Sequence, residues 1–212
     1  TIENESAVKV MTFTATQEGD EQSTRAILSG TNIHWESKDE ISIFDGTKNN
    51  RFTLKNGAGT KSATFQGNAA TAAKYTAVYP YQSEATLSGT SVEKVTLKAT
   101  QNATANSFDK EAALMIAEGG DGNTLNFKNV VGYVKVKPTF NCTRIDLKAF
   151  DNSAVLAGTG TVSYNNGEPK LDLSNAETKN DAITLTGDIK ADNYYYIAVP
   201  PVTLKAGWTI EF

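Results

Sequence analysis

The first third of the chain, residues 8–81, alternates apolar and polar residues with the period of a β-strand. The runs 8–15, 51–54 and 75–81 follow this pattern, and clusters of Gly, Asn, Asp, Ser and Lys separate them. Successive side chains of a strand point to opposite faces of a sheet, so such alternation marks strands with one buried face. Because the intervening residues favour tight turns, the segment predicts a series of short strands joined by turns.

The same pattern continues to the end of the chain and predicts an all-β fold. Asp45-Gly46 and Asn166-Gly167 follow or separate apolar runs, as the turns of hairpins do. Many short strands with turns between them indicate a sandwich or barrel rather than βαβ units, and we expect an antiparallel β-sandwich. The predicted strands are residues 7–15, 26–35, 40–45, 51–54, 62–66, 75–80, 92–98, 113–117, 124–128, 130–137, 144–150, 154–164, 170–173, 182–186, 193–199 and 207–212.

The number of domains depends on a stretch rich in Gly. At 212 residues the chain can bury one sizeable core, so residues 1–212 are predicted to form a single domain. The stretch 118–123 has the composition of a flexible linker, and the alternative is two β-subdomains at 1–117 and 124–212. Just before it, residues 107–115 combine a candidate N-cap with good helix formers, and propensity alone favours a short helix there.

A family resemblance emerges from the order of several short motifs. They are Thr24-Arg25-Ala26, Trp35 followed by residues 38–44, the run 75–81, the runs 113–117 and 131–136, and Val199-Pro200-Pro201. In this order and spacing the chain resembles the fimbrillin or Mfa-like family of type V pilus subunits from Gram-negative anaerobes. The resemblance covers nearly the whole chain. It implies a Greek-key, transthyretin-like sandwich, alone or as two packed subdomains, and it favours a loop entering a strand at residues 107–115.

The resemblance also implies a function and a place in the cell. Family members are adhesive fimbrial subunits at the cell surface or outer membrane, and they join other subunits by β-strand addition. They are made as lipoprotein precursors, so any membrane contact of this chain is expected through a lipid anchor upstream of Thr1. An Arg-specific protease activates such pilins by removing an N-terminal segment, and Arg25 is the best candidate for that cut. The alternative is that Thr24-Arg25-Ala26 simply begins the second strand.

Composition and residue types argue against several other functions. The net charge is −4 and the basic residues are scattered, so no nucleic-acid partner is expected. No run of about 18 apolar residues is present. His34 is the single histidine and lacks a serine motif beside it, which argues against a catalytic triad. Glu36, Asp39 and Glu40 are too close in sequence to face each other across a substrate groove, as the carboxylates of a glycosidase do. Cys142 is the single cysteine and cannot form an internal disulfide. We therefore predict no catalysis, no cofactor and no metal, with the acidic stretch 118–123 as the best calcium candidate.

Tyrosines are the remaining candidates for binding. Tyr75, Tyr79 and Tyr81 share one face of a predicted strand, and Tyr195 lies in a run of three tyrosines. Such rings suit a core or a subunit interface, where an apolar body and a polar tip are both satisfied. They also suit the faces of sugars. The alternative function is therefore a surface carbohydrate-binding module, with host or bacterial surface ligands as further partners of a fimbrial subunit.

Strand phase predicts which side chains are buried. Trp35 is expected to be a central anchor, and Trp208, Ile210 and Phe212 are expected to share the buried face of a last strand. In the resemblance, a two-domain subunit continues beyond a Pro-Pro segment, so we expect either a piece of a longer subunit or a one-domain member. The predicted core residues are Phe13, Ile27, Trp35, Ile43, Phe44, Phe65, Val78, Leu97, Val134, Val136, Ile145, Leu147, Ile197 and Val199.

Overall fold

A computed structural model describes most of the chain and shows an all-β protein. The described residues are 7–18, 34–46, 48–119, 123–150, 154–165, 167–174, 176 and 179–212. They form nineteen strands, and the one helical segment among them is a single 3₁₀ turn at Lys110–Ala112. The predicted all-β class is therefore confirmed.

The strands are numbered in chain order. Their bounds are β1 Lys9–Gln17, β2 Glu40–Phe44, β3 Asn49–Asn56, β4 Ser62–Ala69, β5 Thr76–Tyr79, β6 Thr86–Ser88, β7 Ser91–Leu97, β8 Thr100–Asn102, β9 Ser107–Phe108, β10 Met115–Gly119, β11 Thr124–Asn129, β12 Gly132–Val136, β13 Cys142–Ala149, β14 Ala157–Asn165, β15 Glu168–Asp172, β16 Lys179–Asn180, β17 Ala182–Ile189, β18 Tyr195–Val199 and β19 Trp208–Glu211.

Seven strands close into a barrel in the order β1-β11-β10-β5-β2-β3-β4. Six of the seven pairs are antiparallel, and β1 completes the ring by pairing antiparallel with β4 and parallel with β11. This parallel pair departs from the antiparallel prediction, as do the short parallel pairs β17–β8 and β18–β9. Turn chemistry predicts antiparallel neighbours, but it carries no information about partners that are distant in sequence.

Alternating side chains fill the barrel. Along β1, Met11, Phe13 and Ala15 point inward and are buried, while the threonines between them face outward. Trp35 lies outside any strand, yet it is fully buried at the centre of this core. Its ring meets three other aromatic rings, those of Phe65, Tyr79 and Phe127, edge to face at 5.0–5.4 Å. The predicted role of Trp35 as an anchor is confirmed.

One wall of the barrel is buried on both faces. In β2, β5 and β10 the inner residues belong to the barrel core, while Phe44, Val78 and Ile116 face outward into a second core with β7 and β14. Strands covered on both sides lose the strict alternation and become continuously apolar, as in 41–44 and 76–79. The barrel and the five-stranded sheet β15-β14-β7-β6, to which β16 adds, therefore share a wall.

Two further sheets complete the fold. A three-stranded sheet has the order β12-β18-β9, and a four-stranded sheet has the order β19-β13-β17-β8. Residues of both sheets form a third buried cluster, which contains Val136, Ile145, Leu185 and Ile197. Strands before and after the stretch 118–123 pair with each other in the barrel, since β11 contacts both β1 and β10. The choice between one and two domains stays a prediction.

Most core predictions are confirmed, and the chain end differs. Eleven of the fourteen predicted core residues are buried, Val134 and Val199 are half-buried, and Ile27 lies outside the described residues. The last strand exists as β19, but Trp208 is 47% exposed and Phe212 is 52% exposed, so the predicted buried face is wrong. β19 is the edge strand of its sheet, where Ile210 packs against the third cluster while Trp208 and Phe212 remain about half exposed.

Three other segments depart from the predictions. The short strands β6, β8, β9 and β16 were not predicted, because two or three residues are too few to show a period. Of the predicted strand 26–35, only the last two residues are described, and they are not in a strand. In residues 107–115 the single 3₁₀ turn at Lys110–Ala112 is followed after two residues by β10, so the helix that propensity favours is reduced to one turn before a strand.

Candidate functional site

A polar cleft lies where the barrel meets the end of β7 and the 3₁₀ turn. Its volume is about 460 Å³. One side consists of the start of β2 with the loop before it and of the segment that follows β5. The lining residues are Lys38, Asp39, Glu40, Tyr79, Pro80, Tyr81, Gln82, Thr96, Lys98, Lys110 and Glu111.

Lys98 is held by two carboxylates on one side of the cleft. Its ammonium group donates to Asp109 Oδ2 at 2.9 Å and to Glu111 Oε2 at 3.0 Å. Burial by itself would lower the pKa of Lys98, but these hydrogen bonds outweigh it and raise the pKa above its ordinary value. Asp109 is itself buried and also accepts the backbone N–H of Asn102 at 2.8 Å. Lys98 is therefore a charged side chain in a fixed position.

Lys110 closes the cleft from the 3₁₀ turn. Its ammonium group donates to Asp39 Oδ2 at 3.1 Å and to the backbone carbonyl of His34 at 3.0 Å, and it lies 3.5 Å from Glu36 Oε2. Asp39 also accepts the hydroxyl of Tyr79 at 3.2 Å. Burial and then the nearby carboxylate of Asp39 raise the pKa of Tyr79, so this phenol stays protonated.

An aromatic ring and an amide complete the cleft. Tyr81 lies under the Arg51 guanidinium, which is 4.4 Å from the ring centroid, and Arg51 also approaches Glu40 at 3.7 Å. Gln82 is fixed by both ends of its amide, because Nε2 donates to the carbonyl of Thr96 at 3.2 Å and Oε1 accepts the Thr96 N–H at 2.6 Å. These side chains are ordered before any ligand arrives.

The structure separates the predicted tyrosines. Tyr79 and Tyr81 line the cleft, although the Tyr79 ring is buried against Trp35. Tyr75 is buried in the barrel core and Tyr195 in the third cluster, where each hydroxyl has a hydrogen-bonding partner within the chain. Within this chain Tyr75 and Tyr195 are therefore core residues, and Tyr81 is the predicted tyrosine with a half-exposed ring in the cleft.

The predicted acidic group contributes to the cleft. Asp39 and Glu40 line it, and Glu36 lies at its edge. Lys110 forms ion pairs with both Asp39 and Glu36, and its single positive charge offsets part of their combined negative charge. His34 is exposed and is tied in through its backbone carbonyl, and Cys142 is a half-buried free thiol. Arg25 lies outside the described residues, as do Asp121 and Gly122 of the calcium candidate.

Lys98, Lys110, Glu111, Gln82 and Thr96 were not predicted. They come from three separate segments of the sequence. From the sequence alone, each would be interpreted as a solvent-exposed polar residue on a strand or loop. The one available signal was Asp109, an N-cap candidate beside two charged residues, which indicated an ordered turn rather than a cleft.

A second site is the position of β1 in the barrel. β1 pairs with β4 over eight residues, from Lys9 to Thr16, and with β11 over four. Phe13 packs against the rings of Phe52 and Tyr75 at 5.4 and 4.9 Å. Directly after the strand, the carboxylate of Glu18 accepts the N–H of Asn129 at 2.7 Å. β1 thus lies in a groove with polar backbone edges and an apolar floor.

Comparison with protein-family models, with curated proteins and with solved structures found no match to this chain. In the described part of the chain, no helix is long and apolar enough to cross a membrane. The same residues contain no group of three or more His, Cys, Asp or Glu side chains that could hold a metal ion. The proposed function therefore depends on the geometry of the polar cleft and of β1.

Proposed function

We propose that this protein is a structural and adhesive subunit of a cell-surface fimbria, joined to neighbouring subunits by exchange of a β-strand. The observation that carries the proposal is the position of β1. It is the first described strand, it completes a closed barrel, and its inward residues Met11, Phe13 and Ala15 form part of the barrel core.

Removal of β1 would create a site for a strand from another subunit. β4 would keep β3 as a partner and β11 would keep β10, so six strands would stay paired and two facing edges would open. Unpaired backbone groups along such edges bind an added strand, and pockets at alternate positions select its side chains. Here the pockets are those that Met11, Phe13 and Ala15 now fill.

Arg25 supplies the means of releasing β1. The chain contains three arginines, at positions 25, 51 and 144. Arg51 and Arg144 lie within β3 and β13, where Arg51 pairs with Ser42 of β2 and Arg144 pairs with Thr186 of β17, so the backbone at both positions is held in a sheet. Arg25 follows the stretch 17–24, which is polar in sequence, and proteases prefer to cut where small and polar residues are exposed.

The architecture and location proposed for the subunit follow the same resemblance. We propose that the three- and four-stranded sheets form a sandwich, since side chains from both belong to one buried cluster. Localisation at the cell surface or outer membrane, through a lipid anchor upstream of Thr1, is part of this proposal. Other fimbrial subunits, identical or different, are the proposed partners.

The test is limited digestion with an Arg-specific protease, followed by N-terminal sequencing and sizing of the product. We expect a new N-terminus at Ala26, no cut at Arg51 or Arg144, and assembly of the cleaved protein into polymers. The variant Arg25→Gln is the control and is expected to stay intact and monomeric.

A synthetic peptide of residues 7–18 separates strand exchange from aggregation. Added to the cleaved protein, it should bind and block polymerisation, while the same peptide with Phe13→Asp should do neither because a carboxylate would enter the apolar groove. Resistance of Arg25 to the protease would instead support the alternative that Thr24-Arg25-Ala26 only begins a strand. A cleaved protein that retains residues 1–25 and neither polymerises nor exchanges with the peptide would contradict the model.

A further inference from the structure

We propose that the polar cleft binds a neutral oligosaccharide, with Tyr81 as the stacking ring. This inference deepens the adhesive part of the proposed function by naming a ligand class. It rests on the cleft alone, which contains no residue of β1. Its test and the strand-exchange test can therefore fail independently.

The charge of the lining favours a neutral ligand. Three lysines and three carboxylates line the cleft, so their formal charges sum to zero. The charged groups directly behind them, Arg51, Glu36 and Asp109, add one positive and two negative charges, a further −1. A site for sulfated, sialylated or phosphorylated ligands would need an excess of positive charge, since arginine and lysine neutralise the anion.

The same lining offers many hydrogen-bonding groups. Lys38 is exposed and forms no ion pair with any described residue, so all its donors are available. Glu40 and Glu111 keep 35% and 74% of their side chains exposed, which leaves acceptor oxygens open to the cleft. Sugar hydroxyls both donate and accept, and a mixed lining of this kind satisfies both roles.

Rigidity of the cleft lowers the cost of binding a hydroxylated ligand. Lys98 is held by Asp109 and Glu111, and Gln82 is fixed to Thr96 by two hydrogen bonds. Side chains that are already ordered lose little conformational entropy when a ligand binds. The volume of about 460 Å³ falls within the usual range for small-molecule sites.

Tyr81 provides the apolar surface that a sugar ring requires. Arg51 packs on this ring at 4.4 Å from its centroid, and Arg51 itself does not line the cleft. The guanidinium therefore supports the ring from outside, while the ring contributes to the cleft wall. Pro80, directly before it, adds a second apolar group to the lining of the cleft.

The test is binding of the folded protein to an array of neutral oligosaccharides, including maltohexaose, cellohexaose and mannohexaose, printed beside sialylated and sulfated glycans. Titration calorimetry with the retained neutral glycan then compares wild type, Tyr81→Ala and Tyr194→Ala. Tyr194 is a matched control, because it is also partly exposed with a cation over its ring, Lys135 at 3.8 Å, but lies away from the cleft. We expect Tyr81→Ala to weaken binding by about tenfold or more and Tyr194→Ala to leave it unchanged.

A second variant keeps the test decisive if Tyr81→Ala does not fold. Lys38 has a positive φ of 77°, a conformation that asparagine tolerates, so Lys38→Asn removes the ammonium group without straining the backbone. Loss of the hydrogen bonds that the Lys38 ammonium group would donate to the glycan should weaken glycan binding by about two- to tenfold. The proposal would be overturned if the protein bound none of the neutral glycans or bound only anionic ones. It would also be overturned if the folded cleft variants bound the glycan as tightly as wild type.

Discussion

Replacing Trp35 by alanine tests whether the barrel core is organised around this ring. The side chain is fully buried and contacts Phe65, Tyr79 and Phe127 edge to face. Its Nε1–H also donates to the carbonyl of Lys61 at 3.2 Å. The backbone bonds of Trp35 to Thr60 and Gly59 do not involve the side chain and remain in the variant.

The expected cost combines lost burial with a cavity that three rings cannot fill by small shifts. Large aromatic side chains in cores cost about 3–5 kcal/mol when cut to alanine, and the three edge-to-face contacts put Trp35 in the upper half of this range. For a chain of this length, each kcal/mol lowers the melting temperature by about 2–4 °C. We therefore expect a decrease of roughly 8–20 °C in the melting temperature.

Urea unfolding followed by far-UV circular dichroism measures this cost, with Trp208→Ala as the matched control. Trp208 is the other tryptophan, but it lies 47% exposed on the edge strand β19, and its loss should cost less than about 1 kcal/mol. An unchanged m-value in both variants shows that the comparison concerns the folded state. A Trp35→Ala cost no larger than that of Trp208→Ala would refute the assignment of Trp35 as the anchor.

Two further predictions concern polar side chains within the strands. The Tyr133 hydroxyl is buried without a hydrogen-bonding partner among the described residues, so Tyr133→Phe should leave stability unchanged or raise it. Tyr79→Phe is the comparison, because it loses the hydrogen bond to Asp39 and should cost about 0.5–1.5 kcal/mol in the same urea assay. Burial alone would raise the pKa of Asp146, but the hydrogen bonds from Arg144 and Thr184, together with the nearby charges of Arg144 and Lys148, outweigh burial and lower the pKa. Its stabilisation is therefore present above the unfolded pKa of about 3.9 and is lost as pH falls below it, so the stability difference between wild type and Asp146→Asn should shrink from pH 6 to pH 3. A difference that stays constant over this range would contradict the second prediction.

The sequence predicts those parts of the fold that local periodicity encodes. The runs 41–44 and 76–79 are apolar enough to be recognised as strands, and the structure places them in the doubly covered wall of the barrel. Gln101 shows the opposite case. It lies in the unpredicted three-residue strand β8, is fully buried, and binds both the N–H and the carbonyl of Ala198 at 2.9 Å. A buried glutamine cannot be recognised from sequence, because its burial depends on a partner 97 positions away.

The cleft was predictable only in part for the same reason. Asp39 and Tyr81 were singled out from local features, an acidic cluster and an alternating tyrosine. Their partner Lys110 is 71 residues from Asp39, and nothing near it in the sequence marks it as part of a site. Pairing between distant strands decides which charges meet, and single-sequence patterns do not specify that pairing.

The long sequence distance between β1 and β11 has a consequence for biosynthesis. β1 is synthesised before its parallel partner, which begins at Thr124. Until that segment has been made, β1, β4, β3, β2 and β5 can form only an open sheet, with the pairing edges of β1 and β5 both exposed. Non-local pairing of this kind slows folding, and open edges during that interval invite contact with other chains. In a growing chain the pairing edges of β1 and β5 therefore stay open until β10 and β11, which end at Gly119 and Asn129, have been made.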